Sequence, residues 1–155
     1  VSNAQESTGF EYGHDGPKSI VVGVDGSDSS WRAAAYAGGL ARRQHSLLVL
    51  VYVQPIVTAS WGQAGISMVE TGQQIADELL DYIRTSVARF GEREQVRWEF
   101  RTAQGDPYNG LVAVADGLRT DAVVVGASER AGHRLAGSVA VRLVKAGRWP
   151  VTVVP

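Results

Sequence analysis

The sequence contains no cysteine. Disulfides and thiolate metal sites are therefore excluded, and a reducing cytoplasm is the compatible and expected location. Histidine is scarce: His14, His45 and His133 stand far apart, and none has the spacing of a zinc motif. No run reaches the roughly 18 apolar residues that a membrane helix needs, so no membrane partner is expected. The opening stretch, VSNAQESTGFEYGHDGPKS, has no apolar centre and does not read as a secretory signal. It is polar and glycine-containing, and residues 1–17 read as a flexible tail. An excess of positive charge is missing too. Fifteen Lys and Arg face 16 Asp and Glu, a net charge of -1, where a nucleic-acid binder usually shows a basic surplus; no nucleic-acid partner is expected. The P-loop pattern GxxxxGK[ST] is absent, and no GxGxxG follows the first apolar run, which disfavours P-loop ATPases and Rossmann dehydrogenases. There is no internal repeat and no sign of a second domain.

What is present is one core's worth of apolar residues, 45% of 155. Ser19 to Val24, SIVVGV, is β-branched and reads as a strand. DGSDSS follows with turn and cap chemistry, Asp28 and Ser29 reading as caps. Ala33, Ala37, Leu40 and Ala41 recur at helical spacing, which predicts a helix over Ser29 to Gln44. Leu47 to Val53, LLVLVYV, is too short for a helix and reads as a buried strand. QPIVTASWGQAGIS reads as a long loop. Ile75, Leu79, Tyr82, Ile83 and Phe90 then mark a second helix ending near Gly91. Val96 to Thr102, VRWEFRT, alternates apolar and charged residues, as a half-exposed edge strand does. Asp106 and Pro107 are a cap and a first helical residue for a third helix running to about Leu118. Ala122 to Val125 is a fourth strand. Gly137 and Ser138 open a fourth helix that ends by Gly147, and PVTVV is a fifth strand. Strict β-α alternation implies an α/β fold, a parallel sheet with helices on both faces. Ligands of such sheets bind beyond the carboxyl ends of the strands where strand order reverses. If the first and fourth strands are central neighbours, that point lies between Asp25 and Gly126.

Those two ends carry the most polar, glycine-rich loops of the chain. VVVGASERAGHRLAGSVAVRLV, residues 123–144, leaves a strand at Gly126 and re-enters a helix at Gly137-Ser138. Glycines let a backbone approach phosphate oxygens closely, and a helix start adds unpaired N–H groups and a positive dipole end. Arg130, His133 and Arg134 add donors. The same residues also suit a plain strand-to-helix turn with a serine cap. Asp25 closes the first strand. It is either an acceptor for an adenine amino group or ribose hydroxyl, or a loop aspartate bonding nearby N–H groups. Trp31, Trp98 and Trp149 read as packing or interface residues. Trp61 is a candidate lid, and His133 reads as solvent-exposed. No nucleophile–base pair is positioned for catalysis.

Two stretches together, VVGVDGSDSSWRAAAYA and VVVGASERAGHRLAGSVAVRLVKAGRWPVTVVP, resemble the bacterial universal stress proteins, and the likeness extends over residues 18–155. The resemblance implies a Rossmann-like three-layer sandwich, a five-stranded parallel sheet of order 3-2-1-4-5, adenine-nucleotide binding in many members, and a homodimer formed through the last strand. By likeness Asp25 is the carboxylate that meets the adenosine, and Val53 the position whose backbone reads adenine. Gly126 begins the phosphate loop, and Gly137, Ser138 and Val139 end it. Gly105 is a small residue near the pocket. The cofactor so implied is ATP or another adenine nucleotide, with Mg²⁺ accompanying a triphosphate. The sequence departs from the family spacing G-x2-G-x9-G-[ST]. Glu129 stands where the second glycine would be, and seven residues, Arg130 to Ala136, precede Gly137 instead of nine. Gly132 is placed to supply flexibility at a shifted position, and Glu129 is either offset by Arg130 and Arg134, turned outward, or used to help hold a metal. The departure bears on triphosphate binding more than on adenosine binding.

Three functions fit. The first is a nucleotide-binding stress-response regulator with at most slow ATP hydrolysis. The second is a dimeric interaction module that binds a protein partner of unknown identity and no nucleotide. The third is an adenylate-forming or pyrophosphatase enzyme of the same fold, ranked last because DGSDSS lacks the paired glycines of SGGxDS.

Overall fold

A computed structural model describes residues 17–56, 63–90, 95–127 and 138–155, with backbone alone for 63–69 and 138. The elements alternate: β1 (Ser19–Gly23), α1 (Asp28–Gln44), β2 (Leu47–Gln54), α2 (Gln63–Ala88), β3 (Trp98–Gln104), α3 (Pro107–Leu118), β4 (Ala122–Gly126), α4 (Ser138–Ala146) and β5 (Val151–Val154). The five strands form one sheet of order β3-β2-β1-β4-β5, with all neighbours parallel. β1 and β4 are adjacent at the centre, with Ile20 beside Ala122 and Val22 beside Val124. The strand order reverses there, as the placement of Asp25 and Gly126 requires.

Successive strand residues point to opposite faces, so each β-branched run feeds two cores. Ile20, Val22, Leu48, Leu50 and Tyr52 pack under α1 and α2. Val21, Val49, Val51, Val123 and Val125 pack under α3 and α4. This is the three-layer sandwich. α1 meets the sheet through Ala33, Ala37 and Ala41, all at most 1% exposed, and such small side chains let the helix lie close to the strands. It ends at His45, whose left-handed backbone (φ 55°) turns its N–H onto the carbonyls of Ala41 and Arg42. α3 starts as its sequence predicts: the Asp106 carboxylate accepts from Asn109 N–H at 3.1 Å, and Pro107 occupies the first turn.

The start of α2, the placement of β3 and the cap of α1 differ from the sequence reading, and several other element ends shift by one to three residues. α2 begins at Gln63, inside the stretch read as loop. One glycine and two polar residues look loop-like in isolation, but an established helix extends through them because each added residue gains a bond without a new nucleation cost. β3 runs Trp98–Gln104, two residues later than expected, because its register is fixed by pairing Trp98 with Leu48 and Gln104 with Gln54. The cap of α1 is Ser27, not Asp28 or Ser29: its hydroxyl accepts from Ser30 N–H at 3.2 Å. β3 is an edge strand, with the alternating exposure its sequence implies. Trp31 and Trp98 pack against one core and Trp149 against the other. The tail over 1–16, Trp61 and His133 lie outside the described residues. Among the described residues no helix is long and apolar enough to cross a membrane.

Candidate functional site

The loop from β1 into α1 is built by short side chains. Gly26 holds φ +85°, a left-handed conformation that costs a glycine little. Asp25 Oδ1 accepts from the Ser27 N–H at 2.9 Å and the Ser27 hydroxyl at 2.6 Å. Asp25 N–H in turn donates to the Ser30 hydroxyl at 3.3 Å. The loop-aspartate role is thus real, and it leaves Oδ2 outside both of these bonds. Burial pushes the Asp25 carboxyl up, but the bonds from Ser27 and Ser30 outweigh it, and the net position is below the ordinary aspartate range. Asp25 is therefore an anion at neutral pH. Tyr52 stands beside it on β2, 6% exposed. Burial, and then the negative charge of Asp25, raise its phenol above the ordinary tyrosine value, so Tyr52 keeps its proton and remains a donor.

β4 reaches the same place. A Cβ on Gly126 would sit 2.6 Å from the carbonyl carbon of Ser29 and 2.8 Å from Ser30 N. Only glycine lets the end of β4 touch the first turn of α1. Across the sheet, a Cβ on Gly110 of α3 would fall 2.6 Å from Val53 Cγ2, so α3 lies directly on the end of β2.

A cavity of about 620 Å³ opens between these ends. Asp25, Val53, Gly126 and Val139 all line it. Its polar lining is Asp25, Ser27, Ser29 and Ser30; its apolar lining includes Val51, Val125 and Leu111. Among the described residues such a site offers apolar walls together with serine hydroxyls and one carboxylate. Gly105 does not line it. It turns β3 into α3 with φ +112° and donates its N–H to Gln54 O at 2.7 Å, two residues before Pro107, which does line the cavity. Ser138 opens α4, whose first-turn residues Val139 and Ala140 face the cavity. Arg130, Gly132 and Gly137 lie outside the described residues. Sequence reasoning passed over Tyr52, Ser29, Ser30, Pro107 and Leu111. Tyr52 carried a signal, being the one polar aromatic in a buried run; Pro107 and Leu111 enter only because α3 crosses β2. Among the described residues there is no group of three His, Cys, Asp or Glu placed to hold a metal.

A sequence model of the universal stress protein family matches residues 17–155. The chain belongs to the universal stress protein family. A curated family member from Methanocaldococcus jannaschii is 30% identical over 146 residues, covering 88% of this chain and 81% of the relative. The solved universal stress protein UspA of Lactobacillus plantarum has the same fold, with a TM-score of 0.77 and 23% identity over 89% of this chain and 97% of its own. A universal stress protein solved in complex with cAMP is 25% identical, with a TM-score of 0.59 over 90% of this chain and 97% of its own.

Proposed function

We propose that the chain is a stress-response regulator that binds an adenine nucleotide, ATP or a relative of it, at the carboxyl ends of β1 and β4. The observation that carries this reading is that Asp25 of the β1–α1 loop, Val53 of β2, Gly126 of β4 and Val139 of α4 line one cavity where the strand order reverses. The cAMP complex of a family member supports the ligand class. In this reading Asp25 Oδ2 accepts from the ribose or the adenine amino group, and the main chain of Val53 reads the base. Val51 and Leu111 flank the base. Gly126 and the start of α4 at Ser138 and Val139 hold phosphate, because a helix start presents unpaired N–H groups and a positive dipole end. Arg130, Gly132 and Gly137 complete that side, and Gly105 borders the pocket through the turn before α3. Mg²⁺ would arrive with a triphosphate rather than in a protein cage. Two chains pair through β5, and the absence of cysteine accords with action in the cytoplasm.

Thermal denaturation with AMP, ADP, ATP-Mg²⁺ and no ligand tests the reading on protein first stripped of bound nucleotide. At ligand about 100 times Kd the expected stabilisation is roughly 2.7 kcal/mol. Asp25→Ala should lose it for every nucleotide, and Gly137→Val only the excess of ATP over AMP. The sequence around Glu129, with its shortened loop, favours a second reading, a dimeric interaction module that binds a protein partner and no nucleotide. Absence of any shift would replace the first reading by the second.

A further inference from the structure

A second cavity, of about 440 Å³, lies between α1 and α2 over β2 and β3, and among the described residues it shares no lining residue with the first. Leu48 and Leu50 of β2 lie at its base, both buried. On the α1 side it is bounded by Gly38 and Gly39. Packing does not demand these glycines. A Cβ on Gly38 would meet Leu48 Cδ2 at 3.9 Å, and one on Gly39 would meet only the guanidinium end of Arg43, at 3.6 Å. Adjacent glycines weaken a helix interior, and larger side chains here would both strengthen α1 and fill the gap. The glycines keep it open.

Four aromatic residues, Trp31, Tyr82, Phe90 and Trp98, converge on this space. The Trp31 and Tyr82 ring centroids lie 4.3 Å apart, while Tyr82 and Phe90 remain 53% and 56% exposed. Aromatic walls over an aliphatic base suit a flat hydrocarbon body, and the volume falls in the range of small-molecule sites. Charge narrows the class further. Among the described residues that line the cavity, Arg42, in the last turn of α1, is the one that carries a formal charge. A guanidinium carries five donors, so Arg42 can serve an acid group in addition to the contact it already makes within the protein.

We propose that this cavity binds a small amphipathic anion: a planar aromatic body held among the four aromatic side chains, with one acidic group on Arg42. This site is independent of the nucleotide cavity and stands whether or not that cavity takes a nucleotide.

The test uses 1-anilinonaphthalene-8-sulfonate, with uncharged N-phenyl-1-naphthylamine as the matched probe, followed by fluorescence on the full chain. The expected result is saturable binding of the sulfonate at one site per chain, with the neutral probe about tenfold weaker, as loss of one charge-assisted contact implies. Arg42→Gln should bring the sulfonate down to the level of the neutral probe and leave the neutral probe unchanged. Gly38→Leu should remove both while the melting temperature holds or rises. Saturating AMP should displace neither. Failure of the wild-type protein to bind the sulfonate overturns the proposal. So does displacement by AMP, which would put the probe in the other cavity, or undiminished binding by Gly38→Leu. Should Gly38→Leu lose its fold, Arg42→Gln at its exposed position decides: an unaltered sulfonate affinity overturns the proposal.

Discussion

Asp25 does two jobs with one carboxylate. Its Oδ1 ties the β1–α1 loop together through Ser27, and its charge faces the cavity beside Tyr52. The two have separable signatures. A carboxyl held below its ordinary range stabilises the fold fully above its unfolded pKa, near 3.9, and loses that contribution as pH falls through the folded value. Urea melts should therefore show wild type and Asp25→Asn separated by a constant margin above about pH 5, and converging in acid. A margin that instead grew as pH fell would contradict the assigned sign. Gly126 is a residue-scale requirement of a different kind. The methyl of Gly126→Ala would press on the backbone of Ser29 and Ser30, which does not give way like a side-chain end. The expected loss is about 2 kcal/mol or more by denaturant melts, with nucleotide present or absent. A glycine at this place is therefore fixed by packing before any phosphate is considered.

At the scale of the element, the sequence was most legible where local chemistry decides. Asp106 and Pro107 announce α3, and the structure places the Asp106 carboxylate on Asn109 N–H. Asp106 also takes both bonds of Arg142 from α4, at 2.8 and 3.0 Å, and the Arg142 guanidinium lies 4.1 Å over the Tyr108 ring. The pair is nearly half exposed on each side, so its net contribution is small. Asp106→Ala should cost about 1 kcal/mol, mostly the cap, while Asp106→Asn, which keeps a capping oxygen, should cost under about 0.5 kcal/mol. Equal losses in the two variants would show that the ion pair, not the cap, holds this corner. The buried strands β1, β2 and β4 were legible for the same local reason, as runs of β-branched and aliphatic residues. β3 was misplaced by two residues because an alternating pattern identifies a strand, whereas its ends are set by the partner, β2. The start of α2 was missed because Gly65 and Ser67 look like loop when the helix that absorbs them is not considered.

At the scale of the molecule, the candidate site is a product of topology. Asp25 and Gly126 stand out in the sequence at strand ends and Val53 by likeness to the family, and the sheet order brings the three around one cavity. Pro107 and Leu111 could not be picked out, because they reach the cavity only through the way α3 lies across β2, which no spacing in the chain reports. The C-terminus is tied back into the same body: Ala127 N–H donates to Val154 O at 2.7 Å, and Arg32 Nε of α1 to Pro155 O at 2.7 Å. β5 pairs with β4 on one side alone, and all four of its residues remain partly exposed. In the proposed reading this edge pairs with that of a second copy. Sedimentation at micromolar concentration should give twice the 16.6 kDa chain mass, and a single species at the chain mass would contradict pairing through β5.

In the proposed function the cavity between β1 and β4 takes an adenine nucleotide through Asp25. Calorimetric titration of AMP into nucleotide-stripped protein, wild type beside Asp25→Ala, tests it most directly. One saturable site per chain is expected in the wild type and loss of binding in the variant, with the variant still folded by its melting curve. No heat of binding in the wild type, or equal affinity in both proteins, would contradict it.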